Sequence, residues 1–357
     1  MKNQVLVLAL GSAMVLSACG GGGGGGGSTG GGTGTTTPPP VTTTPPPATS
    51  TLSTITAANA TSAASNAYAA TTSVGSSSTP LTGILTGVSV TNVNGNVVAP
   101  LLTLVKRAYG GRQLLTGVAV NETQACTNGG NLVITGTVNN PDTVSNGDTL
   151  TITANSCVEG TETLSGGFSV KFSGVSGNIN TSVFGVTMDS TFTSFNITSG
   201  TDKIGVNGDM KVVLNQTSAP TTTSTGTIPG NNTIALSGNS LKTTEQQGSA
   251  AAVERTITAY TVTGSTKDGV SSSAANFGLS GTSTKLGTFS YTVQNKQPFV
   301  FTSADAVVPS SGSLIVNGNA SSVTATVVSN GMQVDFTPTG GTTQTSTVAW
   351  DAFLSSM

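Results

Sequence analysis

From Gly110 onward, apolar and polar residues alternate with a period close to two, and this pattern leaves little room for anything but antiparallel strands. Phe168-Ser169-Val170-Lys171-Phe172, Thr256-Ile257-Thr258-Ala259-Tyr260 and Phe289-Ser290-Tyr291-Thr292-Val293 show it clearly. Successive side chains of a strand face opposite sides, so each such segment has one face for a core and one for water. A smaller signature rides on the alternation: an apolar residue two positions before a glycine, with Thr, Ser or Asn between. It occurs at Ile134-Thr135-Gly136, Leu164-Ser165-Gly166, Val206-Asn207-Gly208, Leu236-Ser237-Gly238, Val262-Thr263-Gly264, Leu279-Ser280-Gly281 and Val316-Asn317-Gly318. The unequal spacings argue against a solenoid of fixed turn length. Glycine within a strand marks a bulge, a bend or a close backbone approach, so one bend crossed repeatedly is expected. Ser329-Asn330-Gly331 between two apolar runs predicts a tight hairpin. The expected fold is all-β: an antiparallel meander forming a large bent sheet, with a barrel-like or sandwich body and a short N-terminal helix. Much of its apolar content is Gly and Ala, which predicts a thin core.

Two segments carry helical signals. Leu101, Leu102, Leu104, Val105, Ala108 and Tyr109 follow a period near 3.6 after Pro100, with Lys106 and Arg107 in the last turn and Gly110 as a stop. A short helix plugging the core is the expectation there; an amphipathic membrane-surface helix is the alternative. Ala57 to Ala70 reads as a weak helix or as continued linker. Ser218 to Gly230, rich in Thr, Ser and Pro, reads as a long surface loop or a join between subdomains.

Charge narrows the functions. Charged residues are 7% of the chain and the net charge is −2, so no basic field for nucleic acid exists. The chain contains no histidine. That removes Ser-His-Asp triads, Cys-His dyads, HExxH zinc sites and histidine proton shuttles.

The N-terminus reads as an address. Lys2 precedes an apolar run from Val5 to Leu16 that is too short for a permanent span and ends in Leu16-Ser17-Ala18-Cys19. This resembles the lipobox of bacterial lipoproteins. The resemblance implies that residues 1–18 are removed, that Cys19 carries a diacylglycerol thioether, and that the new amine is acylated. Several acyl chains, at about 0.8 kcal/mol per buried CH₂, make a lasting anchor. Gly20 stands where an Asp would resemble an inner-membrane retention signal, so the outer membrane of a Gram-negative cell is the implied destination. Gly20 to Gly27 are consecutive glycines, and Thr-Pro blocks follow at Pro38–Pro40 and Pro45–Pro47. Residues 19–50 therefore form a tether, coil-like and then polyproline II, ahead of a β-rich domain over 51–357.

Of three cysteines, one is then taken by lipid, leaving Cys126 and Cys157 in an exported chain. A disulfide between them is expected; a reactive pair lacks a CxxC spacing. The loop Asn139, Asn140, Asp142, Ser145, Asn146, Asp148 offers hard oxygen ligands, so Asp142, Asn146 and Asp148 are calcium candidates, against a polar β-turn as the alternative. Glu159 and Glu162 are the closest acidic pair noted for a carboxylate hydrolase. Exposed aromatic platforms of the kind that bind carbohydrate are scarce at 4% aromatic, and a membrane-spanning barrel would need aromatic girdles.

The stretch Pro309 to Gly318, the later Trp350, Phe353 and Leu354, and Cys126, Gly129, Gly130, Gly147-Asp148, Cys157 and Leu164-Ser165-Gly166 are together similar to uncharacterised proteobacterial lipoproteins. The likeness covers about half of the mature chain through short motifs. Such relatives carry an acidic turn before the final Trp, where Gly340-Gly341-Thr342-Thr343-Gln344 stands here. The resemblance implies fold and location and brings no activity. The expected function is a non-catalytic, outer-membrane-anchored lipoprotein with a structural or display role and no cofactor beyond its lipid. A ligand- or partner-binding lipoprotein of the transferrin-binding-protein type is the alternative, since those also follow a lipidated Cys with a Gly-rich leader and β-barrels.

Overall fold

The computed structural model describes residues 51–76 and, with interruptions at 141–142, 178–182, 220, 224–225, 229, 247, 303–305 and 307, residues 118–357. The helix expected from Leu101 lies outside the described residues. So do Cys19, the tether and Asp142.

The chain runs through α1 (Ala60–Ser76), then β1 (Val118–Ala125), β2 (Asn131–Val138), β3 (Thr149–Glu159), β4 (Glu162–Gly177), β5 (Phe184–Ser199) and β6 (Asp202–Gln216). A small ribbon follows, β7 (Thr221–Thr223) with β8 (Gly226–Ile228). Then come β9 (Asn232–Gln246), β10 (Val253–Lys267), β11 (Val270–Ser283), β12 (Gly287–Phe301), β13 (Ser311–Gly318), β14 (Ser321–Val328), β15 (Gly331–Pro338), β16 (Gln344–Ala349) and α2 (Trp350–Leu354). Fourteen strands form one antiparallel sheet in chain order, β6 pairing directly with β9. The Thr/Ser/Pro stretch between them is thus an excursion that leaves the sheet continuous. The sheet is open, with β1 and β16 as its edges.

Alternation dictates the faces. Leu150 and Ile152 of β3 and Met210, Val212 and Leu214 of β6 are buried, while Thr151, Thr153, Lys211 and Asn215 face out. The inward side chains and α1 form one continuous core. Three strands break the period with two core residues three apart: Ala154 and Cys157, Phe192 and Phe195, and Ile257 and Tyr260, the last pair inside the Thr256–Tyr260 segment expected to alternate, where Ala259 is instead exposed. Each pair spans a bulge, and Ser156, Ser194 and Ala259 take φ of 49°, 46° and 45° there, inserting the extra residue that restores phase. Further register shifts in β4 and β6 connect these bulges into a line across neighbouring strands. Bulges increase local twist, so extra twist is expected along this line.

The recurring glycines serve close approach. A Cβ on any of the seven would meet an atom of a neighbouring segment at 3.0 Å or less. Gly166, at φ +84°, faces the carbonyl of the bulged Ser194, where a side chain would collide with backbone.

Helix α1 is buried on every side over residues 63–68: Ala63, Ala64, Ser65, Asn66, Ala67 and Tyr68 are all inaccessible to solvent or nearly so. It lies against β10–β15 and α2. Alanines keep the helix thin enough for this seat. Tyr68 packs edge-on to Phe299 with ring centroids 5.2 Å apart and also meets Trp350 and Phe353. Polar groups on the helix find partners, as burial demands. The Ser65 hydroxyl donates to the Phe353 carbonyl at 2.6 Å, and the Arg255 guanidinium donates to Asn66 Oδ1 at 3.4 Å and to Glu245 at 3.2 Å.

Candidate functional site

Three places gather polar chemistry among the described residues. The first is the corner where β1 ends. Cys126 and Cys157 are joined by a disulfide, tying the β1–β2 turn to the bulge of β3. Glu159 accepts from the backbone N–H and the hydroxyl of Thr127, and Asn128 donates to the Gly160 carbonyl at 3.0 Å. Cys126, Cys157 and Glu159 lie close enough to share an ion. While the disulfide stands, however, neither sulfur is a thiolate, and thiolate is the ligating form. Glu162 pairs with Glu159 on the last rung of the β3–β4 hairpin, and burial raises its pKa.

The second place is the loop before β3. Asp148 is fully buried, and its carboxylate accepts from the Asn139 N–H at 2.8 Å, the Asn139 side-chain amide at 3.0 Å and the Ser145 N–H at 2.8 Å. Asn146 reaches across to β4, accepting from the Val175 N–H at 2.7 Å. Of the calcium candidates, Asp148 and Asn146 thus have protein donors on their oxygens. The carboxylate holds the loop as a turn staple.

The third place is where the chain enters the domain, and nothing in the alternation pointed to it. In β12 the ladder to β13 begins at Thr292, so residues 287–291 extend beyond β13. Residues 51–55 fill that lane as a strap. Ser53 N–H donates to the Ser290 carbonyl at 2.8 Å, and Ser290 N–H donates to Ser53 Oγ at 3.0 Å. On its other side the strap receives Asn319 N–H on the Ser53 carbonyl at 2.9 Å, while Ile55 N–H donates to Ser321 Oγ at 2.8 Å. Gly318, the last of the signature glycines, makes room for it: a Cβ there would meet Ser53 and Ile55. Two residues after Ser53 the chain is inside the core, with Ile55 only 1% exposed.

Outside the strap lies a cleft of about 430 Å³. Two cross-strand rows floor it: Lys242, Thr256, Ser280 and Ser290 in one, Glu254, Thr282 and Thr288 in the other. Thr51 and Ser53 form a wall. Lys242 Nζ and Glu254 Oε2 are 3.0 Å apart, each side chain about half exposed. The hydroxyls of Thr256, Ser280, Thr282 and Thr288 have no hydrogen-bond partner among the described residues.

No helix among the described residues is long and apolar enough to cross a membrane. No protein-family model matches the chain, and comparison with curated proteins and with solved structures found no match.

Proposed function

We propose that this chain is a non-catalytic lipoprotein of the outer membrane, held by lipid on Cys19 and presenting its β-domain at the end of the 19–50 tether. The observation that carries the reading is the order of segments: Lys2, the apolar run, Leu16-Ser17-Ala18-Cys19, then glycines. Acyl labelling in a Gram-negative host tests the anchor. Label should enter the wild-type protein and vanish in Cys19→Ala, which should leave the membrane fraction; a variant that stays membrane-bound overturns the reading. Protease shaving of intact cells then separates surface display, with the domain degraded, from a periplasmic position, with it protected.

A binding role is the second reading, favoured by the cleft beside the strap. A carboxylate hydrolase draws least support, since Glu159 is engaged by Thr127.

A further inference from the structure

The cleft at the strap differs from the rest of the outer sheet face in having the strap as a wall, and its chemistry selects among ligands. Its one cation and one anion, Lys242 and Glu254, neutralise each other at 3.0 Å. A phosphate or an isolated carboxylate would find no surplus positive charge there. Phe289, the one aromatic residue at its margin, is 1% exposed and turned into the core, so the cleft's apolar surface comes from aliphatic carbons and not from an exposed ring. Its polar groups are mainly hydroxyls. Thr256 pairs across the strands with Ser280, and Thr282 with Thr288, placing hydroxyls that have no partner among the described residues on adjacent strands about 4.8 Å apart. A serine or threonine hydroxyl both donates and accepts, and Lys242 adds donors and Glu254 acceptors. The ligand that answers to such a set is one whose own groups also donate and accept on every side. A neutral saccharide is such a ligand, and the strand spacing is comparable with the width of a pyranose ring.

We propose that this cleft binds a short neutral glycan of one or two rings, with Thr256, Ser280, Thr282 and the Lys242–Glu254 pair as its hydrogen-bonding partners and the strap as its wall. The proposal deepens the binding reading of the domain and does not depend on the lipid anchor, whose acyl-labelling test has a separate readout. Without an aromatic platform, affinity should be weak, in the millimolar range.

The test is titration of the detergent-solubilised full-length protein with chitobiose, maltose and cellobiose, followed by calorimetry and by NMR shift changes. At least one should bind saturably. Thr282→Val and Glu254→Gln lie on the exposed face and should each weaken binding at least tenfold without moving the melting temperature, while Thr151→Val, far away on β3, should leave it unchanged. Absence of saturable binding by all three sugars overturns the proposal. So does equal binding in Thr282→Val and wild type, or binding of a Thr/Pro-rich peptide in the cleft with none of the sugars.

Discussion

The phenolic hydroxyl of Tyr260 on β10 donates to the backbone carbonyl of Asp209 on β6 at 2.7 Å, reaching past the whole of β9 to do so. It passes at Gly238, where a Cβ would lie 2.6 Å from the ring and from the hydroxyl oxygen. Asp209 sits in the β6 bulge, where the ladder is interrupted, so the tyrosine satisfies a carbonyl that the sheet leaves open. Its carboxylate meanwhile accepts from the N–H groups of Asn239 and Ser240 at 2.8 and 3.0 Å. One apolar-x-Gly signature is thereby explained by a single ring.

Gly238→Ala should therefore destabilise by about 1–3 kcal/mol through overpacking against the ring. Tyr260→Phe should cost about 1–3 kcal/mol by stranding the Asp209 carbonyl. The two should not be additive, since both displace the same contact. Chemical denaturation of the single and double variants measures this, and strict additivity would show that Tyr260 and Gly238 are not coupled.

Removing the Cys126–Cys157 bridge frees a loop with a sequence separation of 31 residues. In the chain-entropy account that should lower stability by about 3–4 kcal/mol. A reductant should lower the melting temperature of wild type and not of the double Ser variant. Free thiol detected at Cys157 in unreduced protein would remove the basis of this expectation.

Asp148→Ala withdraws a fully buried acceptor from three donors on Asn139 and Ser145, so a loss of about 1–3 kcal/mol is expected. Because protein donors occupy both carboxylate oxygens, adding EDTA or calcium should leave the melting temperature where it was. A calcium-dependent rise would mean that the loop opens to bind the ion.

Burial raises the pKa of Tyr68 and, helped by the nearby Asp209 charge, of Tyr260. A raised pKa means that the folded state holds the proton more tightly than the unfolded chain. Stability from these tyrosines is then complete below about pH 10 and lost as pH climbs above it. With no histidine to titrate, the melting temperature should be flat between about pH 6 and 9. A pH scan checks both, and Tyr260→Phe should soften the alkaline decline.

Strands were legible because alternation is a strong local signal, and the glycine signature marked close approaches for the same reason. Bulges left a weaker trace. Ala154 and Cys157, Phe192 and Phe195, and Ile257 and Tyr260 each show two apolar residues three apart within a period-two run, and each marks an inserted residue. Helix α1 was harder to read: burial on all sides erases amphipathic periodicity, and alanine and serine serve linkers as readily as helices. The strap and its cleft were invisible for another reason. They arise from Ser53 meeting Ser290, and nothing local to either residue announces the other.

In the meander each strand pairs with one close by in the chain, so the sheet can zip up in the order in which it emerges. The strap and α1 obey the opposite rule. They come before β1 in the chain, yet their seat is formed by β10–β15 and α2, whose Phe353 lies 288 residues beyond Ser65. That segment must wait, unhoused, until α2 has been made. A chain cut short before α2 would build most of its sheet and still fail to lodge the helix, leaving Tyr68 and the alanine surface for proteases to find. Seating of α1 thus depends on α2, at the opposite end of the described residues, having been made.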